Sequence, residues 1–369
     1  MVRAGRTGPF AFELKFHQRV RAMGERSKLW RSIHRIGVLL VSCAILVIVL
    51  TVALTYSWSK DIFQNQPSQA SQFEIKSSVN EVLLHMTVRD RDGNLVGQLN
   101  KDNFRIYEDG VLQQIDSFSH EDIPVTVGLV VDNSGSMKPK RPEVIASTMA
   151  FVRSSNSQDE MFVVNFNDGV SFGLPRNTPF TDQQDQLKLA LSSTEASGRT
   201  ALYDAISNAA GHLKEGSHDK KALIVVSDGG DNASKNSLSE TMELAVKSDS
   251  IIYTIGLFEP DDPDRNPHVL KELAKATGGD AFFPESTKDV LATCQRIALE
   301  IRNQYTVTYV SSNKKQDGSH RSIKVRVNAP DHGHLMVRAR SGYYAPLNTE
   351  SRRESQAAHY ENSALSRNL

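Results

Sequence analysis

From Ile123 onward the chain alternates between short apolar runs and stretches of helical spacing. Val125–Val131 is almost continuously apolar, the pattern of a strand buried on both faces. Arg141–Ser154 places Val144, Ile145, Met149 and Val152 on a helical period, and Met161–Phe166 reads as the next strand. Ala201–Leu213 is predicted as a helix, Ala222–Val226 as a strand, Leu238–Lys247 as a helix and Ile251–Leu257 as a strand. Helices around Val269–Thr277 and Val290–Arg302 enclose a short strand at Ala281–Phe283. This alternation predicts an α/β fold, a doubly wound, mostly parallel Rossmann-like sheet with helices on both faces.

The rhythm differs on either side of that body. Val82, Leu84, Met86 and Val88 alternate with their neighbours up to Asp92-Gly93, and Phe104–Glu108 meets Asp109-Gly110 before restarting at Val111-Leu112. Asp-Gly between alternating apolar runs predicts a hairpin, because both residues tolerate positive φ. Beyond Gln304, Tyr305–Val310, Ile323–Val327 and Leu335–Ala339 return to a strand-like pattern, with a turn at Asp317-Gly318. The expected organisation is a small β unit at 72–120, the α/β body at 121–303 and a C-terminal β segment at 304–346, the two β flanks being free to pair with each other.

Towards the N-terminus, Ile36–Ser57 holds no charged residue and is rich in Val, Ile and Leu. Such a run is long enough to cross a bilayer as a helix with its backbone hydrogen bonds satisfied internally. Residues 1–35 are basic, from Arg3 to Arg35, against only Glu13 and Glu25. That leader is too long, and the apolar run too extended, for a cleaved signal peptide. Residues 36–57 are therefore expected to be an uncleaved transmembrane signal anchor, with 1–35 a basic cytoplasmic tail and the remainder extracytoplasmic. Polar residues 58–71 read as a linker, and 347–369 as a disordered tail. Lys plus Arg and Asp plus Glu both total 43 in the 369 residues, a balance that gives no support for a nucleic-acid partner. The two cysteines, Cys43 within the apolar run and Cys294 far downstream, are not placed to form an internal disulfide.

Three segments carry candidate chemistry. Asp132-Asn133-Ser134-Gly135-Ser136 follows the first buried strand, Ser197-Gly198-Arg199-Thr200-Ala201-Leu202 opens a helix, and Ser227-Asp228-Gly229-Gly230-Asp231-Asn232 follows another strand. Loops leaving the carboxyl ends of parallel strands share one edge of the sheet, where ligands bind. Asp132, Ser134, Ser136, Thr200 and Asp228 would bring two carboxylates and three hydroxyls to that edge, hard oxygen donors that suit Mg²⁺, Ca²⁺ or Mn²⁺ and not zinc. No HExxH or paired CxxC competes, and no small-molecule cofactor is implied. Asp261, Asp262 and Asp264 follow the strand Ile251–Leu257 and are expected in a loop at the same end of the sheet, to be read as a solvated loop or, in the sharper reading, as a second cation site or a determinant of partner choice.

Together, D-x-S-x-S after a buried strand, G-x-T-A-L and S-D-G-x-x-N resemble the metal-ion-dependent adhesion site of von Willebrand factor A domains. The flanks G-Q-L-N-K-D-N-F-R-I-Y-E-D-G and R-A-R-S-G-Y-Y extend the likeness to a bacterial VWFA-related domain family over residues 72–346. The resemblance implies that Asp132, Ser134, Ser136, Thr200 and Asp228 are metal ligands, some through water. It also points to a bacterial envelope. With the apolar run 36–57 and an oxygen set that leaves a cation electrophilic, the expectation is a membrane-anchored binding protein, not an enzyme, whose cation takes an acidic group from a protein partner. Two other readings stand beside it: a Mg²⁺-dependent hydrolase or phosphotransferase, and a scaffold in which the cation only stabilises the loops.

Overall fold

A computed structural model describes residues 81–258 and 265–348, all within one compact unit, Ser78–Leu369. The expected basic tail, transmembrane anchor and linker, the acidic loop at 261–264 and nearly all of the expected disordered tail lie outside the described residues. Among the described residues no helix is long and apolar enough to cross a membrane.

The chain opens with strands β1 (Glu81–Arg89), β2 (Phe104–Glu108), β3 (Val111–Gln113) and β4 (Ile115–Ser119). Next come β5 (Val125–Asp132), α1 (Arg141–Ser154), β6 (Glu160–Phe166), β7 (Val170–Phe172), α2 (Gln184–Ser192) and α3 (Leu202–Leu213). β8 (Lys220–Ser227), α4 (Leu238–Lys247), β9 (Ile251–Gly256), α5 (Pro267–Thr277), β10 (Ala281–Phe282) and α6 (Thr287–Arg302) complete the alternating region. The chain then returns to strands in β11 (Tyr305–Val310), β12 (His320–Val327), β13 (Met336–Arg338) and β14 (Gly342–Tyr344).

The central sheet runs β10-β9-β8-β5-β6-β7, parallel throughout except for the antiparallel edge strand β7. β5 lies inside it, and all eight of its residues are buried, as the unbroken apolar run predicts. Gly128 in β5 is required by packing: a Cβ there would lie 2.5 Å from both Leu223 and Phe162. One group of contacting helices joins α1 to α2 and α6, another joins α4 to α3 and α5, and together they cover the sheet. Local signals bound these helices. α5 starts at Asn266, whose side chain accepts the Val269 N–H at 3.3 Å, has Pro267 in its first turn, and stops at Gly278 with φ of 87°.

The β flanks form two further sheets, β13-β1-β11-β4 and β14-β12-β2-β3, each built from both sides of the α/β body. β1 pairs antiparallel with β11, Leu84 opposite Val307, and β2 with β12, Ile106 opposite Val325. Leu84, Met86, Phe104, Ile106, Tyr305 and Val307 bury their side chains in this unit's own core. Asp109 (φ 48°) and Gly110 (φ 83°) turn the β2–β3 hairpin in the left-handed region, as the Asp-Gly pair predicts.

Candidate metal centre

β5 ends at Asp132 and β8 at Ser227, side by side in the sheet, so the loops that follow leave from the same edge. Asp132 is 2% exposed. Its Oδ1 accepts the Ser134 backbone N–H at 2.8 Å, and its Oδ2 accepts the Ser227 hydroxyl at 2.6 Å. Ser134 Oγ lies 3.1 Å from Ser136 Oγ, which donates to Asp228 Oδ2 at 2.6 Å. The Gly230 N–H fixes the other Asp228 oxygen at 3.0 Å.

The third segment is bound to these two loops through the backbone. The Thr200 N–H donates to Asn232 Oδ1 at 2.9 Å, and the Thr200 carbonyl accepts the N–H groups of Asn232 and Ala233, both at 3.0 Å. Ser197 N–H donates to the Asn133 carbonyl at 2.8 Å, and Gly135 N–H to that of Gly198 at 3.1 Å. Gly198 has φ of 79° and a carboxylate oxygen of Asp168 where a Cβ would stand, so only glycine fits the turn. Asp168 in turn accepts from Arg199 Nε at 3.1 Å, an ion pair exposed at the rim.

The structure thus joins Ser134, Ser136 and Asp228 by direct oxygen contacts, adds Asp132 through Ser134 and Ser227, and holds Thr200 against the Asp228 loop. The edge of an octahedron of oxygens around Mg²⁺ is about 3 Å, from ligand distances of about 2.1 Å. Contacts of 3.1 and 2.6 Å along Ser134–Ser136–Asp228 are compatible with neighbouring corners of such a shell. Among the described residues no three or more His, Cys, Asp or Glu side chains gather as a metal cluster, so any ion here would rely on hydroxyls as well as carboxylates. Burial pushes the Asp132 carboxyl up to about 6; the Ser227 and Ser134 hydrogen bonds oppose the rise, and the Asp228 charge adds to it.

The sequence pointed to the candidate oxygens but not to the residues that hold them. Ser227 and Asn232 both stand in the S-D-G-x-x-N segment, yet their roles, steadying Asp132 and docking the Thr200 loop, follow from contacts between distant strands. Asn133, wholly buried, does similar work: its Nδ2 donates to Asn165 Oδ1 at 3.0 Å and its N–H to the Phe166 carbonyl at 2.7 Å. Lys140, also buried, donates to the Leu257 carbonyl at 3.1 Å and so ties the first loop to the end of β9.

A parallel α/β sheet with a cluster of oxygen side chains at its carboxyl edge defines the class of this domain. Residues 127–230 match the family model of the von Willebrand factor type A domain, and the chain carries a domain of that type. No curated protein matches the chain. Among solved structures it is similar to BatB, a conserved hypothetical protein from Bacteroides thetaiotaomicron, at 20% identity, covering 48% of this chain and 98% of that one with a TM-score of 0.40. A von Willebrand factor type A structure from Catenulispora acidiphila shares 12% identity over 75% of this chain and 76% of that one, TM-score 0.44. The vWF domain of the type V pili tip protein Mfa5 from Porphyromonas gingivalis shares 15% over 49% and 95%, TM-score 0.40.

Proposed function

We propose that this chain is a membrane-anchored, extracytoplasmic adhesion or protein-binding module. Asp132, Ser134, Ser136, Thr200 and Asp228 hold Mg²⁺, or Ca²⁺ or Mn²⁺, and the acidic group of a protein partner completes the shell. The observation that carries this reading is the lacing of three separate loops so that two carboxylates and the hydroxyls beside them converge on one sheet edge. A von Willebrand factor type A domain over residues 127–230 supports an interaction role of this kind. When bound, the cation supplies an electrophilic position for an incoming carboxylate. The chain's own part is to fix the oxygens: Ser227 and the Ser134 N–H orient Asp132, Gly230 orients Asp228, and Asn232 positions the Thr200 loop. The apolar run 36–57 supports the anchoring, and the basic residues before it support the orientation.

Isothermal titration of Mg²⁺, Ca²⁺ and Mn²⁺ into the full-length chain tests the site, with an acidic peptide library then added with and without chelator. Saturable one-site binding in the wild type, at least a hundredfold weaker in Asp132→Ala, is the expected result, with peptide capture that needs the ion. Capture that is unchanged in Asp132→Ala, or undiminished by chelator, would refute the reading.

A further inference from the structure

α5 begins at the candidate metal edge, where the Asn266 N–H donates to the Asp228 carbonyl at 3.0 Å, and it ends at Gly278 on the far side of the sheet. Beyond that far end a cleft of about 570 Å³ opens between the α5 C-terminus, β12 and β13. Its volume falls within the range of ligand clefts, roughly 300–1,000 Å³. Five cations line it, Lys271, Lys275, Lys324, Arg338 and Arg340, with Asp280 as the single acid of the lining. Arg338 is engaged by Asp280 and Glu300, and Arg340 by Asp249. Lys275 and Lys324 are exposed and have no acidic partner among the described residues. The floor between the cations is apolar, from Ile323, Val325 and Val337.

One wall of this cleft is an open strand edge. β14 pairs only with His320–Ser322 of β12, and the Ile323 N–H still reaches the Ser341 carbonyl on that flank at 2.8 Å. Past Ile323, β12 keeps β2 on one side but has no strand partner on the other among the described residues. Backbone alternation turns the N–H and C=O of Val325 to the same flank as those of Ile323, into the cleft. Lysine on an open edge discourages pairing with other copies of the same edge, and the same charge favours a strand that carries acids.

We propose that this cleft is a second binding site, independent of the metal edge, for an extended acidic segment of a protein partner. The segment adds to the outer edge of β12 through its backbone at Val325, and sets alternate acidic side chains against Lys275 and Lys324. Its remaining side chains, small and apolar, rest on Val325 and Val337.

The test uses the full-length chain in EDTA and a fluorescein-labelled peptide of four Glu-Val repeats, read by fluorescence anisotropy. Saturable binding is expected, weakening as salt rises, at least tenfold weaker in the double variant Lys275→Glu/Lys324→Glu and intermediate in Lys275→Ala/Lys324→Ala, with thermal midpoints near wild type. A peptide of four Lys-Val repeats should not bind. No saturable binding to the wild type, or equal binding to the variants, overturns the proposal. Binding that disappears in EDTA or in Asp132→Ala assigns the peptide to the metal edge and overturns it too. Competition by inorganic phosphate or by phosphatidylglycerol vesicles at lower concentration than unlabelled peptide overturns it in favour of a simple anion or lipid site.

Discussion

Asp132 shows what it takes to hold a carboxylate inside the protein, and what the proposed cation would change. Burial removes the water that would solvate its charge and Asp228 repels it, so the carboxyl is pushed up to about 6 although Ser227 and Ser134 donate to it. Because the folded value lies above the unfolded value of 3.8, the group contributes stability in full below that value and loses it as pH rises through about 6. A bound cation favours the ionised form and works in the opposite sense. Thermal unfolding with and without Mg²⁺ is therefore expected to show a small ion-induced rise at pH 5 and a larger one at pH 7. In Asp132→Asn the Mg²⁺ effect should be lost at both. A rise that is as large at pH 5 as at pH 7 would show that Asp132 does not need to lose its proton for the ion to bind.

The strands and helices differ in how plainly the sequence announces them. The apolar run of β5 and the Asp-Gly turn after β2 were legible because burial on both faces and positive φ leave little choice of residue. The meeting of Asp132, Ser134, Ser136 and Asp228 at one sheet edge was legible because their segments stand directly after predicted strands, whereas Thr200 opens a helix and reaches that edge only through its contacts with Asn232. α2 was not: Leu187, Leu189 and Leu191 alternate as a strand would, yet Leu187 and Leu191 are buried while Leu189 is 73% exposed. β4, β7 and β14 were also missed, being short runs defined by their partners and not by their own pattern. Least legible was the buried pair Glu108–Arg321, 3.2 Å apart, which joins β2 to β12 across the whole α/β body. Glu108 also accepts from Tyr309 at 2.8 Å, Tyr343 at 3.0 Å and Ser311 at 2.6 Å, so four distant residues meet one carboxylate. Arg321→Ala strands that charge away from water and is expected to cost about 3–5 kcal/mol, read as a lower midpoint in urea. Replacing Glu108 and Arg321 together with Met should cost less than Arg321→Ala alone, because no unpaired charge remains. If the double variant is the worse of the two, the pair is stabilising in its own right.

The whole described unit is organised by the return of the chain to its beginning. β1 and β2 find their partners in β11, β13 and β12, so the residues before the von Willebrand domain have a core only when those after it are present. The same unit is fastened to the α/β body by Glu300 of α6, fully buried and paired with Arg89 of β1 and Arg338 of β13. A charge in that position is sustained by partners from both flanks, and losing one flank leaves it short of a cation. Truncation after Asn303 should therefore unfold more than it removes. Amide hydrogen exchange on the full chain is expected to show β1 and β2 protected together with β11 and β12, as one cooperative unit. In the truncated chain the amides of residues 81–119 should exchange at unfolded rates while β5 and β8 stay protected, because the central sheet keeps its own core. Protection of β1 that survives the truncation would mean that the N-terminal flank has a fold of its own and that its pairing with β11 is an addition to it.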